Sequence, residues 1–120
     1  MRADMLTSVL TELNGTSGDI EASGVISTDG LMIAAVLPAG MDEGRVGAMS
    51  AAMLSLGDRT AQELARGALE QVLIKGAKGY VLMTYAGEES VLTVLAKPNA
   101  KLGLIFLDVK RAAVSIAELL

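Results

Sequence analysis

The sequence contains no cysteine, no histidine and no tryptophan. Disulfides are therefore excluded, and the usual ligands of zinc and the usual nucleophile–base pairs of catalysis are missing. Aromatic residues make up 2% of the chain and hydrophobic residues 52%, so the core must be aliphatic. We predict a protein without catalytic residues, metal site or cofactor, which is not an enzyme.

The charge balance is acidic, with a formal net charge of −4 and a pI of about 4.7. Such a chain repels phosphate backbones, so we predict no nucleic-acid partner. The five lysines all lie in the second half, and we interpret them as scattered solubilising charges. No apolar run is long enough to span a membrane, and the first residues lack a signal-peptide pattern. We expect a cytoplasmic protein without direct membrane insertion.

Short motifs for nucleotide or RNA chemistry are absent or out of context. The sequence has neither a Walker loop nor a G-x-G-x-x-G segment. The stretch 76–79 spells the GxxG of KH domains, but here it joins two predicted strands in an acidic chain, so we interpret it as a turn. The carboxylate pairs Asp42/Glu43 and Glu88/Glu89 are typical of a helix N-terminus and a polar turn.

Hydrophobic periodicity predicts the order α-β-β-α-β-β-β-α. Asp29-Gly30 between two apolar runs indicates a hairpin, because Gly30 can adopt the positive φ of a tight turn. Several strands are apolar on both sides, which requires helices on both faces of the sheet. The predicted helices cover 4–14, 42–66 and 100–119, and the predicted strands cover 19–27, 31–37, 68–75, 79–86 and 90–96. We expect Asp4 and Asn99 to cap the starts of the first and last helices, and Asn14-Gly15 and Gly67 to end the first two.

The long helix carries two apolar stripes about 100° apart. The first, which we predict to face the core, consists of Val46, Met49, Met53, Leu56, Thr60 and Leu64. The second is made mostly of small residues, namely Ser50, Leu54, Gly57 and Ala61, flanked by Gly47, Ala51 and Ala65. Each of its two glycines costs about 1 kcal/mol relative to alanine inside a helix, and close packing would offset that cost. We therefore predict that the second stripe packs against a helix of another copy of the chain.

Three segments, together with the predicted order of helices and strands, resemble the roadblock family, which includes dynein light chain roadblock proteins and prokaryotic Mgl-type co-regulators of small GTPases. They are "GVISTDGLMIAA", "AAMLSLGDRTAQELARGALEQVLI" and "LGLIFLDVKRAAVSIAELL". The resemblance extends from about Met5 to Leu120, so we expect one roadblock-type domain over 1–120.

The resemblance implies an α+β, profilin-like fold, with a five-stranded antiparallel sheet sandwiched by helices. The long helix would lie on one face and the terminal helices on the other. It also implies a homodimer with a continuous sheet, in which the third strand (69–75) pairs with its copy and the long helices lie side by side. Carried over to this sequence, and combined with the second stripe, the expected interface is Gly47, Ser50, Ala51, Leu54, Gly57, Ala61, Ala65, Leu69, Gln71, Leu73 and Lys75.

In function, the resemblance implies a scaffold or regulator that binds a small Ras-like GTPase. Arg45, Arg59 and Arg66 are candidate contacts, although a solvated helix face explains each of them as well. Two alternatives stay open: a small-molecule sensor of PAS or profilin type, and a structural dimerisation module of a larger motor or membrane-associated complex. The scarcity of aromatic residues disfavours the sensor. The apolar segment 31–33 at the sheet edge could pair with a further partner strand.

Overall fold

The helices and strands follow the predicted order in the structure, a computed structural model in which residues 2–120 are described. All eight predicted elements are present, with shifts of a few residues at their ends. The helices are α1 (Arg2–Thr16), α2 (Glu43–Glu63) and α3 (Leu102–Leu119). The strands are β1 (Ile20–Ser27), β2 (Met32–Val36), β3 (Val72–Gly76), β4 (Gly79–Tyr85) and β5 (Ser90–Ala96).

The five strands form one antiparallel sheet in the order β2-β1-β5-β4-β3. The predicted hairpin and the predicted meander of the last three strands are both confirmed. Gly30 has φ +92°, as the Asp-Gly turn requires, and the Ser27 N–H donates to the Leu31 carbonyl across it. The strands β2 and β3 lie at opposite edges, so each has one side without a neighbouring strand.

Helices cover both faces of the sheet, as the two-sided apolar strands predicted. Because side chains alternate along a strand, neighbouring residues enter different layers. The α1 and α3 layer holds the larger core, formed by Leu6, Leu10, Leu13, Ile20, Val25, Ala34, Leu82, Ala86, Leu92, Val94, Ala96, Ile105, Val109, Ala112, Ala113 and Ile116. The α2 layer holds a smaller core of Leu54, Met83 and Val91, with Met53, Leu69, Val72, Val81 and Tyr85 packed around it.

The ends of α2 differ in how well the sequence predicted them. Its start is confirmed, because the Asp42 carboxylate accepts the Arg45 N–H at 3.2 Å. Its end is three residues earlier than predicted, and Gly67 does not stop it. Ala65 takes the left-handed conformation (φ +58°), and the Arg66 N–H closes the helix on the Ala61 carbonyl at 2.7 Å.

The other predicted caps are wrong. Asp4 lies within the first turn of α1, and Lys101 rather than Asn99 precedes α3, without a capping side-chain bond. Asn14 does not end α1, which continues to Thr16. Its side chain instead accepts the Ser23 hydroxyl at 2.7 Å and reaches the Val36 carbonyl at 3.4 Å, tying α1 to β1 and β2.

Candidate functional site

The small-residue stripe of α2 faces the protein's own sheet. Gly47, Ser50 and Leu54 are buried, and Gly57 is half-buried beneath the loop before β3. These four positions, which were predicted to meet a second copy, are therefore already packed against other parts of the same chain. The prediction that the larger side chains of the other stripe form the core is wrong for Met49, Leu56 and Leu64, which are exposed, whereas Met53 packs against the smaller core.

The two glycines of this stripe are explained by the close approach of α2 to the sheet. A Cβ at Gly47 would lie 2.5 Å from the Gly30 carbonyl oxygen, which belongs to the hairpin turn. A Cβ at Gly57 would lie 3.0 Å from Cγ2 of Val72. The helix cost of glycine is thus offset by packing, as predicted, but the surface that packs against it is β1–β2 and β3 rather than another helix.

Between these glycines, one buried hydrogen bond links α2 to the centre of the sheet. The Thr93 hydroxyl donates to Ser50 Oγ at 2.9 Å, and both residues are at most 3% exposed. Buried hydroxyls require such partners, because an unpaired one costs about 1–3 kcal/mol. Ser50 is therefore a structural residue that fixes α2 over β5.

The opposite side of α2 is apolar and uncovered in one chain. Met49 is 64% exposed and Leu56 59% exposed, although both were predicted to be core. Val46 and Met53 beside them are half-buried, and Thr60 is exposed. We call this surface the α2 flank; it comprises Val46, Met49, Met53, Leu56 and Thr60. Leu64, the last member of the predicted core stripe, follows the helix and is 65% exposed.

The β3 edge continues this apolar surface. Leu73 and Ile74 are 40% and 37% exposed, and Lys75 follows them at the end of the strand. Met53 of the α2 flank packs in the same cluster as Val72 and Val81, so helix and strand edge adjoin. The surface combines uncovered aliphatic side chains with an unpaired strand edge, which is the chemistry of a protein–protein interface.

The remaining predicted interface residues are divided between core and surface. Leu69 and Gln71 precede β3, which begins at Val72, instead of lying within it. Leu69 is half-buried against Gly57, and Gln71 is exposed. Ala51 and Ala61 are half-buried, and Ala65 is exposed at the end of α2. Of the predicted set, Leu73, Lys75 and Gln71 are the residues that remain accessible at the strand edge.

The three candidate arginines are exposed but do not form one cluster. Arg45 and Arg59 lie on α2 about 21 Å apart, given the helical rise. Arg59 forms a long 3.9 Å contact with Glu63 on the helix surface. Arg66 lies in the loop after the helix, where its Nε donates to the Leu64 carbonyl at 3.1 Å.

Most lysines gather at one end of the sheet, which the sequence did not reveal. The register Tyr80–Ala96 brings the β3–β4 turn beside the end of β5. The exposed lysines there are Lys75, Lys78, Lys97 and Lys101. At the opposite end, the Thr28 N–H donates to the Glu89 carbonyl, joining two turns that carry Asp29, Glu88 and Glu89. Asp19 lies at the lysine end as well, where its carboxylate accepts the Lys101 N–H at 3.0 Å, so the lysines are grouped in space although they are spread along the sequence.

Two of the surface clefts formed by the described residues lie beside the end of β4. The one between α3 and β4 has a volume of about 420 Å³ and is lined by Phe106, Lys110 and Thr84, among others. A small cleft of about 160 Å³ contains Asp58 and Tyr85. Burial, and secondarily the Asp58 carboxylate, raise the pKa of Tyr85 above 10.0, so its phenol is neutral at physiological pH.

Within residues 2–120, histidine, cysteine and acidic side chains do not gather into a group of three that could hold a metal ion. Over the same residues, none of the helices combines the length and the apolar character that crossing a membrane demands.

Comparison with known sequences gives a family and close relatives. The Roadblock/LC7 domain profile matches residues 6–96. An uncharacterized protein of Methanocaldococcus jannaschii is 46% identical over 112 residues, covering 93% of this chain and 96% of that protein.

Comparison with solved structures gives the same fold. A structure described as MglB with tetrameric arrangement has a TM-score of 0.89 at 20% identity and covers 98% of this chain and 89% of its own. Myxococcus xanthus MglB has a TM-score of 0.88 at 19% identity, covering 96% and 86%. At these identities, the likeness establishes the fold and leaves activity to be argued separately.

Proposed function

This chain belongs to the Roadblock/LC7 domain family, and from that premise we propose that it is a homodimeric, non-enzymatic regulator of a small Ras-like GTPase. The family consists generally of non-catalytic regulatory domains, and the similar structure MglB is a GTPase regulator. The observation that carries the proposal is the continuous apolar surface of the α2 flank and β3.

The proposed dimer is supported by the backbone groups at the edge of this surface that lack hydrogen-bond partners within one chain. The outer side of β3 presents backbone N–H and C=O groups without strand partners, and pairing with a second β3 would satisfy them. The same pairing would join two five-stranded sheets and bring the two α2 flanks together on one face. Burying Met49 and Leu56 there would add about 1.5–3 kcal/mol for each side chain.

The GTPase would bind the face that carries the two α2 helices. Arg45 and Arg59 project from α2 into solvent, where they are free to meet acidic groups of a partner. Such rim charges act mainly on the rate and specificity of association. We expect the GTPase to be recognised in its GTP-bound conformation, with this protein supplying a docking surface.

A binding experiment tests this function directly. Small Ras-like GTPases from the source organism are purified, loaded with GDP or a non-hydrolysable GTP analogue, and passed over the immobilised dimer. We expect tighter binding of the GTP form, and a loss of about fivefold in Arg59→Ala, which corresponds to about 1 kcal/mol. Lys97→Ala, which changes another exposed cation, beyond the end of β5, serves as the matched control.

The result separates the three functions that the sequence left open. A dimer that binds none of these GTPases in either nucleotide state contradicts the regulator and favours a structural module. A thermal shift produced by a small molecule, without GTPase binding, favours the sensor. Equal losses in Arg59→Ala and Lys97→Ala would mean that the GTPase does not bind the α2 face.

A further inference from the structure

We propose that α3 holds this protein against the surface of an anionic lipid bilayer, through exposed apolar residues that are bordered by lysine and arginine side chains. This surface lies on the side of the sheet away from α2. Its binding to lipid therefore goes beyond the proposed function and does not depend on it.

The helix α3 is apolar on two opposite sides. One side packs on the sheet through five buried residues, which are Ile105, Val109, Ala112, Ala113 and Ile116. At 100° per residue, Leu107 and Val114 point in nearly the opposite direction, two turns apart along one row. They are 45% and 56% exposed, and Leu104 beside them is 59% exposed. A helix with a second apolar side in one chain is expected to meet a further surface.

Exposed cations border this apolar row on both sides and at its start. Lys110 projects towards β4, where it lines the cleft of about 420 Å³. Arg111 projects towards α1 and lines a second cleft there. Lys101 directly precedes the helix. A surface that covers the apolar row must therefore also accept positive charge.

The sheet adds further lysines on the same side. Lys75 pairs with Tyr80, which packs against the core beneath α1 and α3, and its Nζ lies 6.0 Å from the centre of the Tyr80 ring. Lys78 and Lys97 lie beside it, at the end of the sheet where α3 begins. We call the combined surface the α3 face; it comprises Lys75, Lys78, Lys97, Lys101, Leu104, Leu107, Lys110, Arg111 and Val114.

The charges of the protein are unevenly distributed around the α3 face. It carries six of the ten basic residues of the chain. Five of the fourteen acidic residues lie near them, namely Glu12, Asp19, Glu21, Glu70 and Asp108. The rest of the molecule has nine acidic residues against four arginines. Although the net charge is −4, a negative surface would therefore turn the α3 face towards itself and repel the other side.

The kind of cation favours a bilayer over a protein partner. All five lysines of the chain lie on the α3 face, whereas Arg45 and Arg59 lie on α2. Lysine is depleted at protein–protein interfaces, and arginine is enriched there. At a bilayer, a lysine stem can lie along apolar surface while its ammonium stays among the anionic headgroups. A helix bound in this way lies in the plane of the headgroups and requires no spanning segment.

Vesicle flotation tests the proposal with the unmodified chain. The protein is mixed with vesicles of phosphatidylcholine and phosphatidylglycerol in equal parts, or of phosphatidylcholine alone, and centrifuged through a density gradient. We expect it to float with the mixed vesicles only. Raising the salt from about 0.1 M to about 1 M shortens the Debye length from about 10 Å to about 3 Å and should release most of the protein.

Substitutions at exposed positions test which surface binds. Lys110→Gln should weaken binding to the mixed vesicles about fivefold, and its combination with Lys101→Gln about 25-fold, because each cation near an anionic surface contributes about 1 kcal/mol. Arg2→Gln is the matched control, since it removes an exposed cation beside Glu88 and Glu89 at the opposite end. It should bind as the unmodified chain does, within about twofold.

The apolar row has its own pair of variants. Leu107→Gln should weaken binding several-fold, because it removes an apolar side chain that would enter the headgroup region. Leu31→Gln, at the exposed leucine next to the β1–β2 turn, is the control and should bind normally. Full binding by Leu107→Gln would contradict a role for the apolar row.

Three results would overturn the proposal. They are a chain that does not float with the mixed vesicles at low salt, equal losses in Arg2→Gln and Lys110→Gln, and binding to soluble polyglutamate without flotation. The last result would assign the α3 face to an acidic protein surface. Since the assay contains no GTPase, failure of the proposed function leaves the vesicle result unchanged, and failure of vesicle binding leaves the proposed function intact.

Discussion

The two sides of α2 differ in exposure, and the side with the small residues, not the one with the large apolar residues, is buried. The side of Gly47, Ser50 and Gly57 is pressed against the sheet, whereas Met49 and Leu56 on the other side face solvent. Small residues are buried here because they let the helix approach the strands closely. The large apolar residues, left uncovered by one chain, form the surface that we assign to a second copy.

The largest effect is expected from placing a charge on the buried side. Leu54→Asp puts a carboxylate without a partner at a position 2% exposed, and we expect the free energy of unfolding to fall by about 4 kcal/mol. Urea denaturation at a fixed protomer concentration measures the change. A variant that keeps its full stability would show that Leu54 does not face the core.

A smaller effect is expected where only a methyl group is added. In Gly47→Ala the new Cβ meets the Gly30 backbone oxygen, so α2 or the hairpin must move, at a cost of about 2 kcal/mol. Gly57→Ala is the matched control, because its new Cβ meets side-chain atoms of Val72 and Leu69 rather than backbone, and the substitution gains helix propensity. Equal destabilisation by both would contradict the distinction between backbone and side-chain contact.

Removal of the buried hydrogen bond should have a somewhat smaller effect. Ser50→Ala leaves the Thr93 hydroxyl without its partner, and we expect a loss of about 1.5 kcal/mol. Replacing both residues, as Ser50→Ala with Thr93→Val, should recover most of that loss. A double-mutant cycle by chemical denaturation gives the coupling, and additive losses would show that the bond is not formed.

The smallest effect is expected at the end of α2, where one substitution should increase the stability of the protein. Ala65 holds φ +58°, a conformation that strains alanine and suits glycine. We expect Ala65→Gly to raise the free energy of unfolding by about 0.5–1 kcal/mol, whereas Gly67→Ala should lower it, since Gly67 has φ +88°. A loss of stability in Ala65→Gly would contradict the assigned helix end.

The fold was predictable because its local signals agree with its topology. Asp29-Gly30 gives a tight turn, short links give the meander, and two-sided apolar strands demand helices on both faces. The hairpin at residues 27–31 also proved to lie at one edge of the sheet, far from β3. These features depend on residues close together in the chain.

The orientation of α2 was not predictable in the same way. A helical projection separates two stripes but does not say which one meets the sheet, and our choice of the bulkier one was wrong. The glycines at 47 and 57 were the available signal, since both sit in the stripe that packs most closely against the rest of the chain. The gathering of lysines at one end depends on how strands distant in sequence pair with one another. Composition carries no information about that pairing.

Light scattering after gel filtration tests the central claim that the α2 flank is covered by a second copy. At micromolar protomer concentration we predict a mass of twice 12.4 kDa for the native chain and a folded monomer for Leu56→Asp, which would bury an unpaired charge between the flanks. A native monomer, or a Leu56→Asp variant that remains fully dimeric, would contradict the account.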